Sequence, residues 1–157
     1  MEHYERSKYE AQLDVRYGQC WNRLNERLFG RIDLLFGAIT LFGGSAIAVT
    51  VTADHKAGAA WVGGIVAVSA IVERLVGATE KRLEHREMKK RFADLDARSG
   101  ALSQEEIDAE LRLLQADGPC GIRGLDVPAY NANLRTNGRL EAKLPVSFWN
   151  WLCAVLA

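Results

Sequence analysis

Residues 34–53 read LLFGAITLFGGSAIAVTVTA and residues 57–72 read AGAAWVGGIVAVSAIV, and neither run holds a charged side chain. Only Asp54, His55 and Lys56 separate them, and beyond Glu73 and Arg74 the apolar character resumes through Leu75, Val76 and Gly77. An apolar, charge-free run of about 18 or more residues is a candidate transmembrane helix, because about 20 residues rising about 1.5 Å each cross a hydrocarbon core of about 30 Å. The block 32–79 therefore reads as a two-transmembrane helical hairpin inside an all-α membrane protein. Its three-residue polar link forces the two arms to be antiparallel neighbours.

Composition alone would hide this. The 157 residues carry 20 Lys and Arg against 20 Asp and Glu, so the formal net charge is zero. The charges are segregated, however, crowding into the first third and the middle of the chain and vanishing inside the two apolar runs. The first thirty residues lack a short apolar core and a small-residue cleavage motif, so the first span is expected to act as an uncleaved signal. Cys20, Cys120 and Cys153 are odd in number and widely spaced, which fits reduced, cytosol-facing thiols. They do not combine with His3, His55 or His85 at metal-ligand spacing. No Ser-His-Asp set, Cys-His pair, paired catalytic carboxylates or phosphate loop emerges, so no enzyme activity, cofactor or metal is expected.

Basic residues orient the hairpin. Arg16, Arg23, Arg27 and Arg31 precede it, Arg74, Lys81, Arg82, Arg86, Lys89, Lys90 and Arg91 follow it, and the link holds only Lys56. The positive-inside rule then places both termini in the cytoplasm and Trp61 near the outer interface. Small residues recur in both arms: Gly37, Thr40, Gly44 and Ala48 in the first, Ala60, Gly63, Ala67, Ala70 and Gly77 in the second. Lipid gives little hydrophobic drive for helix association, so such helix-packing stripes serve either the hairpin's own contact or contacts between hairpins in a homo-oligomer. Asp33, Glu73 and Arg74 fall at the cytoplasmic ends, where a charge costs far less than at the bilayer centre. Asp33 and Arg74 pair across the hairpin or snorkel there, or Asp33 or Glu73 forms a ring at the mouth of a cation-conducting oligomer, with Asp33, Glu73 and Arg74 together marking its gate.

The flanking parts read as cytosolic helices. Residues 1–31 form an amphipathic helix, Tyr4 to Arg31, whose stripe Leu13, Tyr17, Cys20, Trp21, Leu24, Leu28 and Ile32 has helical period and runs on into the first span. Residues 80–138 form a helical region. Glu80 to Arg98 continues the second span without a break, and its edge of Leu83, Met88, Phe92 and Leu95 suits a partner helix. Its Lys89-Lys90-Arg91 patch is interleaved with acids, and nucleic acid is not expected as a partner. Ser103 and Glu106 form a capping box ahead of Ile107, Leu111 and Leu114. Glycines 118, 121 and 124 suggest a flexible connection, and Val127 to Asn137 a helix closed by Gly138. Residues 139–157 are an apolar tail whose PVSFWNWLCAVLA, at about 20 Å as a helix, is too short to span. It lies in the membrane interface or packs on the cytosolic helices.

This order of elements resembles the SLATT family, the SMODS- and SLOG-associating two-transmembrane effector domains of bacterial conflict systems. The likeness covers roughly Leu13 to Asn137. It rests on the hairpin preceded by Arg23, Arg27 and Arg31, on the Glu73-Arg74 pair, and on Leu125, Ala129, Tyr130 and Asn131 within GLDVPAYNANLRTNG. The resemblance implies a pore-forming, membrane-permeabilising effector of the bacterial inner membrane, used in antiviral (anti-phage) defence. It also implies opening by a nucleotide second messenger or a partner sensor protein. The competing expectations are a membrane anchor that recruits a cytosolic partner, and a phage holin-like lysis or virion membrane protein.

Overall fold

The structure, a computed structural model, describes residues 6–45 and 56–157. Among these residues it is all-helical: α1 (Lys8–Gly43), α2 (Lys56–Val76), α3 (Ala78–Arg98), α4 (Gln104–Ala116), α5 (Asp126–Thr136) and α6 (Phe148–Leu156), with 3-10 turns at Arg123–Leu125 and Leu140–Ala142. The chain divides into two compact units. One, the helical unit, takes the chain up to Leu28 and from Lys81 onward; the other, the apolar unit, is Phe29–Glu80.

In the helical unit, α1, α3 and α4 share a core of Ala11 and Val15, Met88, Phe92 and Leu95, and Ile107, Leu111 and Leu114. Burying each of the larger side chains contributes about 1.5–3 kcal/mol. The α3 and α4 edges follow the sequence expectation, except that Leu83 is exposed. The α1 face does not. Its deepest residues are Ala11, Val15, Asn22 and Asn25, and Leu28 of the expected stripe is buried too, whereas Leu13, Tyr17, Cys20, Trp21 and Leu24 are only half-buried. The seam of α1 thus passes through two asparagines, which an apolarity pattern skips. Gly18 lies on the same seam, and a β-carbon there would run into the Phe92 ring.

Helix ends follow local chemistry. Ser103 caps α4 by accepting from the Glu106 backbone N–H, while the Glu106 carboxylate accepts from the Ser103 N–H at 2.7 Å. This reciprocal box contributes about 1 kcal/mol. At the end of α5 the Gly138 N–H donates to Arg135 O and the Arg139 N–H to Leu134 O, with Gly138 at φ 73°. That is a Schellman ending, which needs a left-handed residue. Glycines 121 and 124 are not the flexible spacer that their composition suggests. A β-carbon on Gly121 would come 2.5 Å from the Trp21 ring, and one on Gly124 2.5 Å from Cys153 Sγ, so both mark close packing. The tail helix α6, capped by Ser147, sets Cys153 against that turn and leaves Phe148, Trp149, Trp151, Val155 and Leu156 largely exposed.

In the apolar unit two breaks depart from the uninterrupted helices read from the sequence. α1 runs without interruption from Lys8 only to Gly43, where Gly44 and Ser45 turn and the Ser45 hydroxyl donates to Phe42 O at 2.7 Å. Paired glycines and a backbone-bonding serine are weak helix formers, which accounts for the stop. Ala48, Thr50, Thr52 and the link at Asp54 and His55 lie outside the described residues. The second break separates α2 from α3. Gly77 adopts φ 59° and donates its N–H to Glu73 O at 3.0 Å, a left-handed helix ending.

Candidate functional site at the charged end of the apolar unit

Two contacts set the geometry of this unit. Asp33 of α1 accepts a hydrogen bond from the Thr79 hydroxyl at 2.5 Å, and Gly43 lies so close to Val66 that a β-carbon there would overlap its side chain. Residue 33 thus meets 79 and residue 43 meets 66, so the outer part of α1 and α2 run antiparallel. The helical stretch beginning at Ala60 is, among the described residues, the one long and apolar enough to cross a membrane, and only 11% of its apolar window is buried. That low burial distinguishes it from the core helix of a globular protein, whose apolar stripe is covered.

The α2 surface divides into three faces at 100° per residue. The least exposed runs through Val62, Val66, Ser69, Glu73 and Val76, and Val66 places it against α1. A second holds large apolar side chains, Trp61, Ile65, Val68, Ile71, Val72 and Leu75, all exposed. The third holds Ala60, Gly63, Ala67, Ala70 and Arg74, also exposed. The small-residue stripe of α2 is therefore not its contact with α1. In α1, Gly37, Thr40 and Gly44 are likewise exposed, and nothing lies within 4 Å of a β-carbon built on Gly37 or Gly63. Gly77, the last residue of the stripe read from the sequence, ends the helix instead.

The three charged residues separate across these faces. Glu73 is half-buried on the α1-facing side, while Arg74 is exposed on the small-residue side. Both line a recess of about 480 Å³ with Ala70, Gly77, Thr79 and Glu80. Asp33 reaches this recess through Thr79, a residue that carried no signal in the sequence beyond its place at the end of the apolar block, two residues after Gly77. The left-handed turn at Gly77 ends α2 directly after the Glu73-Arg74 turn and sets Thr79 at the start of the next helix.

The helical unit has a second polar concentration, which sequence reasoning missed. Asn22 and Asn25 each give their amide N–H to a carbonyl one turn back, Gly18 O at 2.9 Å and Trp21 O at 3.0 Å. Their oxygens are then free to face outward: Asn25 Oδ1 accepts from the Ile122 N–H at 2.8 Å, and Asn22 Oδ1 stands 2.8 Å from His85 Nδ1. His85 is fully buried and meets the Trp21 ring edge-on, 5.4 Å away at 72°. Burial in this setting pushes its pKa from 6.5 down to about 4, against the opposing pull of the Cys120 backbone, so the ring is neutral at physiological pH. The Trp21 indole N–H donates to Asp126 Oδ1 at 2.8 Å, and Lys89 pairs with Glu26 at 2.5 Å. Such a network joins α1, α3 and the 120–126 turn through hydrogen-bonded polar groups. The signal available in sequence was the three-residue spacing of Asn22 and Asn25 in register with Ala11 and Val15.

Among the described residues, no group of His, Cys, Asp and Glu is placed to hold a metal ion. No family model, curated protein or solved structure matches the chain.

Proposed function

We propose that this protein is an oligomeric two-span inner-membrane protein whose hairpins assemble into a regulated, membrane-permeabilising pore. The observation that carries the reading is the division of α2, with its large apolar face and its small-residue face both uncovered. Lipid suits the first, since Ile, Val and Leu gain nothing from water. A second helix suits the other, because small side chains let backbones approach and gain dispersion. The resemblance to SLATT domains adds a bacterial defence setting and a trigger, a nucleotide second messenger or sensor protein acting through the cytosolic helices.

The same division assigns the charges. A lumen bordered by the small-residue face carries Arg74 at its inner end, while Glu73 turns toward α1. A ring of guanidinium groups favours anions over cations. Reconstitution in liposomes tests this. Ion or dye release by an oligomer, with anion preference reversed by Arg74→Glu, is the expected result. A monomer that releases nothing under any trigger would sink the pore and leave an anchor that recruits a cytosolic partner. Release with cation preference unaffected by Arg74→Glu would remove the small-residue face from the lumen.

A further inference from the structure

The groove between α5, residues 143–146 and α6 lies at a distance in sequence from the apolar unit and is used by nothing described above. It holds about 470 Å³ and is lined by the apolar groups of Pro128, Ala132, Leu144, Val146 and Trp151 together with the cations of Arg135 and Lys143. Its wall is built rather than incidental. The Asn131 side chain donates to Leu144 O at 2.8 Å and accepts from the Leu144 N–H at 2.9 Å, clamping the extended segment to α5 as a neighbouring peptide group would. Ser147 then starts α6 by accepting from the Asn150 N–H at 3.2 Å. Glu141, in the same connection, is engaged by Arg139 at 3.1 Å.

We propose that this groove docks an anionic phospholipid of the bilayer, the headgroup phosphate between Arg135 and Lys143 and the acyl region along Trp151, Val146 and the exposed face of α6. Three observations converge on that ligand. Both cations lie in the groove with no acid among its lining residues, and neither has a described ion-pair partner. The apolar surface continues out of the groove onto α6, where Phe148, Trp149 and Trp151 are 76%, 59% and 53% exposed. Phe148 and Trp151 pack their rings 5.9 Å apart at 30°, presenting one aromatic surface. Aromatic rings beside Lys and Arg are the composition favoured at the headgroup boundary, where a ring meets acyl carbon and the cation meets phosphate. A soluble phosphate would engage the cations and leave the aromatic face in water; an amphiphile covers both.

The inference rests on the proposed reading only in placing the chain at a bilayer, and its test separates the two. The full-length protein, with Cys20 and Cys120 changed to Ser and Cys153 to Ala, is labelled with a nitroxide at Leu156→Cys or, as a control, at Ile71→Cys. Vesicles contain phosphatidylcholine with or without phosphatidylglycerol, and collisions with oxygen and with a water-soluble nickel chelate are compared. Oxygen-dominated collisions at both positions are expected in the anionic vesicles. At position 156 this preference should weaken in pure phosphatidylcholine and in Arg135→Gln or Lys143→Gln, the docked-to-free ratio falling about fivefold per cation lost. Nickel-dominated collisions at 156 with a lipid-exposed 71 overturn the docking alone. Low collision with both agents at 156 means a protein contact covers α6 and also overturns it, as does lipid exposure indifferent to headgroup charge. A label at 71 that meets nickel instead of oxygen rejects the membrane reading itself. Circular dichroism of each variant verifies that the helices persist.

Discussion

Acid should loosen the helical unit through one residue. His85 is neutral and fully buried, with a pKa near 4 in place of 6.5. In the unfolded chain it protonates as pH falls through 6.5, whereas in the folded unit it does so only near 4. Between those values the unfolded state binds the extra proton, so stability rises with pH and is lost on acidification. The full gap corresponds to about 3 kcal/mol, complete once pH has fallen below about 4. Lys81 and Glu26 act on the ring with opposite sign, Lys81 lowering and Glu26 raising its pKa, so neither cancels the burial effect. The assay is urea denaturation of the full-length protein in a non-ionic detergent, followed by Trp21 fluorescence with Trp61, Trp149 and Trp151 replaced by Phe. The midpoint should fall between pH 7 and pH 4.5, and His85→Gln, which keeps a hydrogen-bonding side chain but cannot titrate there, should flatten that fall. Carboxylates in ion pairs contribute to both proteins at the acid end, so the difference between the two profiles is the quantity read. An equal fall in wild type and His85→Gln would refute the argument.

Gly18→Ala places a methyl group against the Phe92 ring and should cost about 1–3 kcal/mol by overpacking, read as a lower urea midpoint; an unchanged midpoint would show that α1 and α3 do not approach so closely. Ser103→Ala removes one half of the capping box and should cost about 1 kcal/mol, with faster amide exchange in the first turn of α4. Exchange left unaltered at residues 104–107 would count against the cap.

The elements read correctly from the chain are those whose chemistry is local. Ser103 and Glu106 are three residues apart and satisfy each other; Gly138 ends α5 because its left-handed turn is made with Leu134 and Arg135. The apolar character of 57–72 needs no partner to be recognised either. The course of α1 was harder. Its seam passes through Asn22 and Asn25, whose partners are His85, 63 residues away, and Ile122, 97 residues away. A polar residue enters a core only when a distant group satisfies it, so no window on α1 reveals that face. Glycines 121 and 124 were misread for the same reason, since their lack of a side chain answers to Trp21 and Cys153 rather than to chain flexibility.

The candidate site divides along the same line. That Asp33, Glu73 and Arg74 sit where an apolar stretch gives way to charge follows from their order in the chain, because a charge-free run has charged ends by definition. Which of them faces α1 and which faces away does not. Glu73 and Arg74 are adjacent, about 100° apart on the helix, and either face was open to α1 until Val66 and Gly43 met. Composition and order were enough for helices throughout the described residues and for one long apolar helix among them. The packing of α1 on one face of α2 left the small-residue face, with Arg74 at its end, uncovered. Side-chain direction on a helix is a rotation, and a rotation acquires meaning only from what lies beside it.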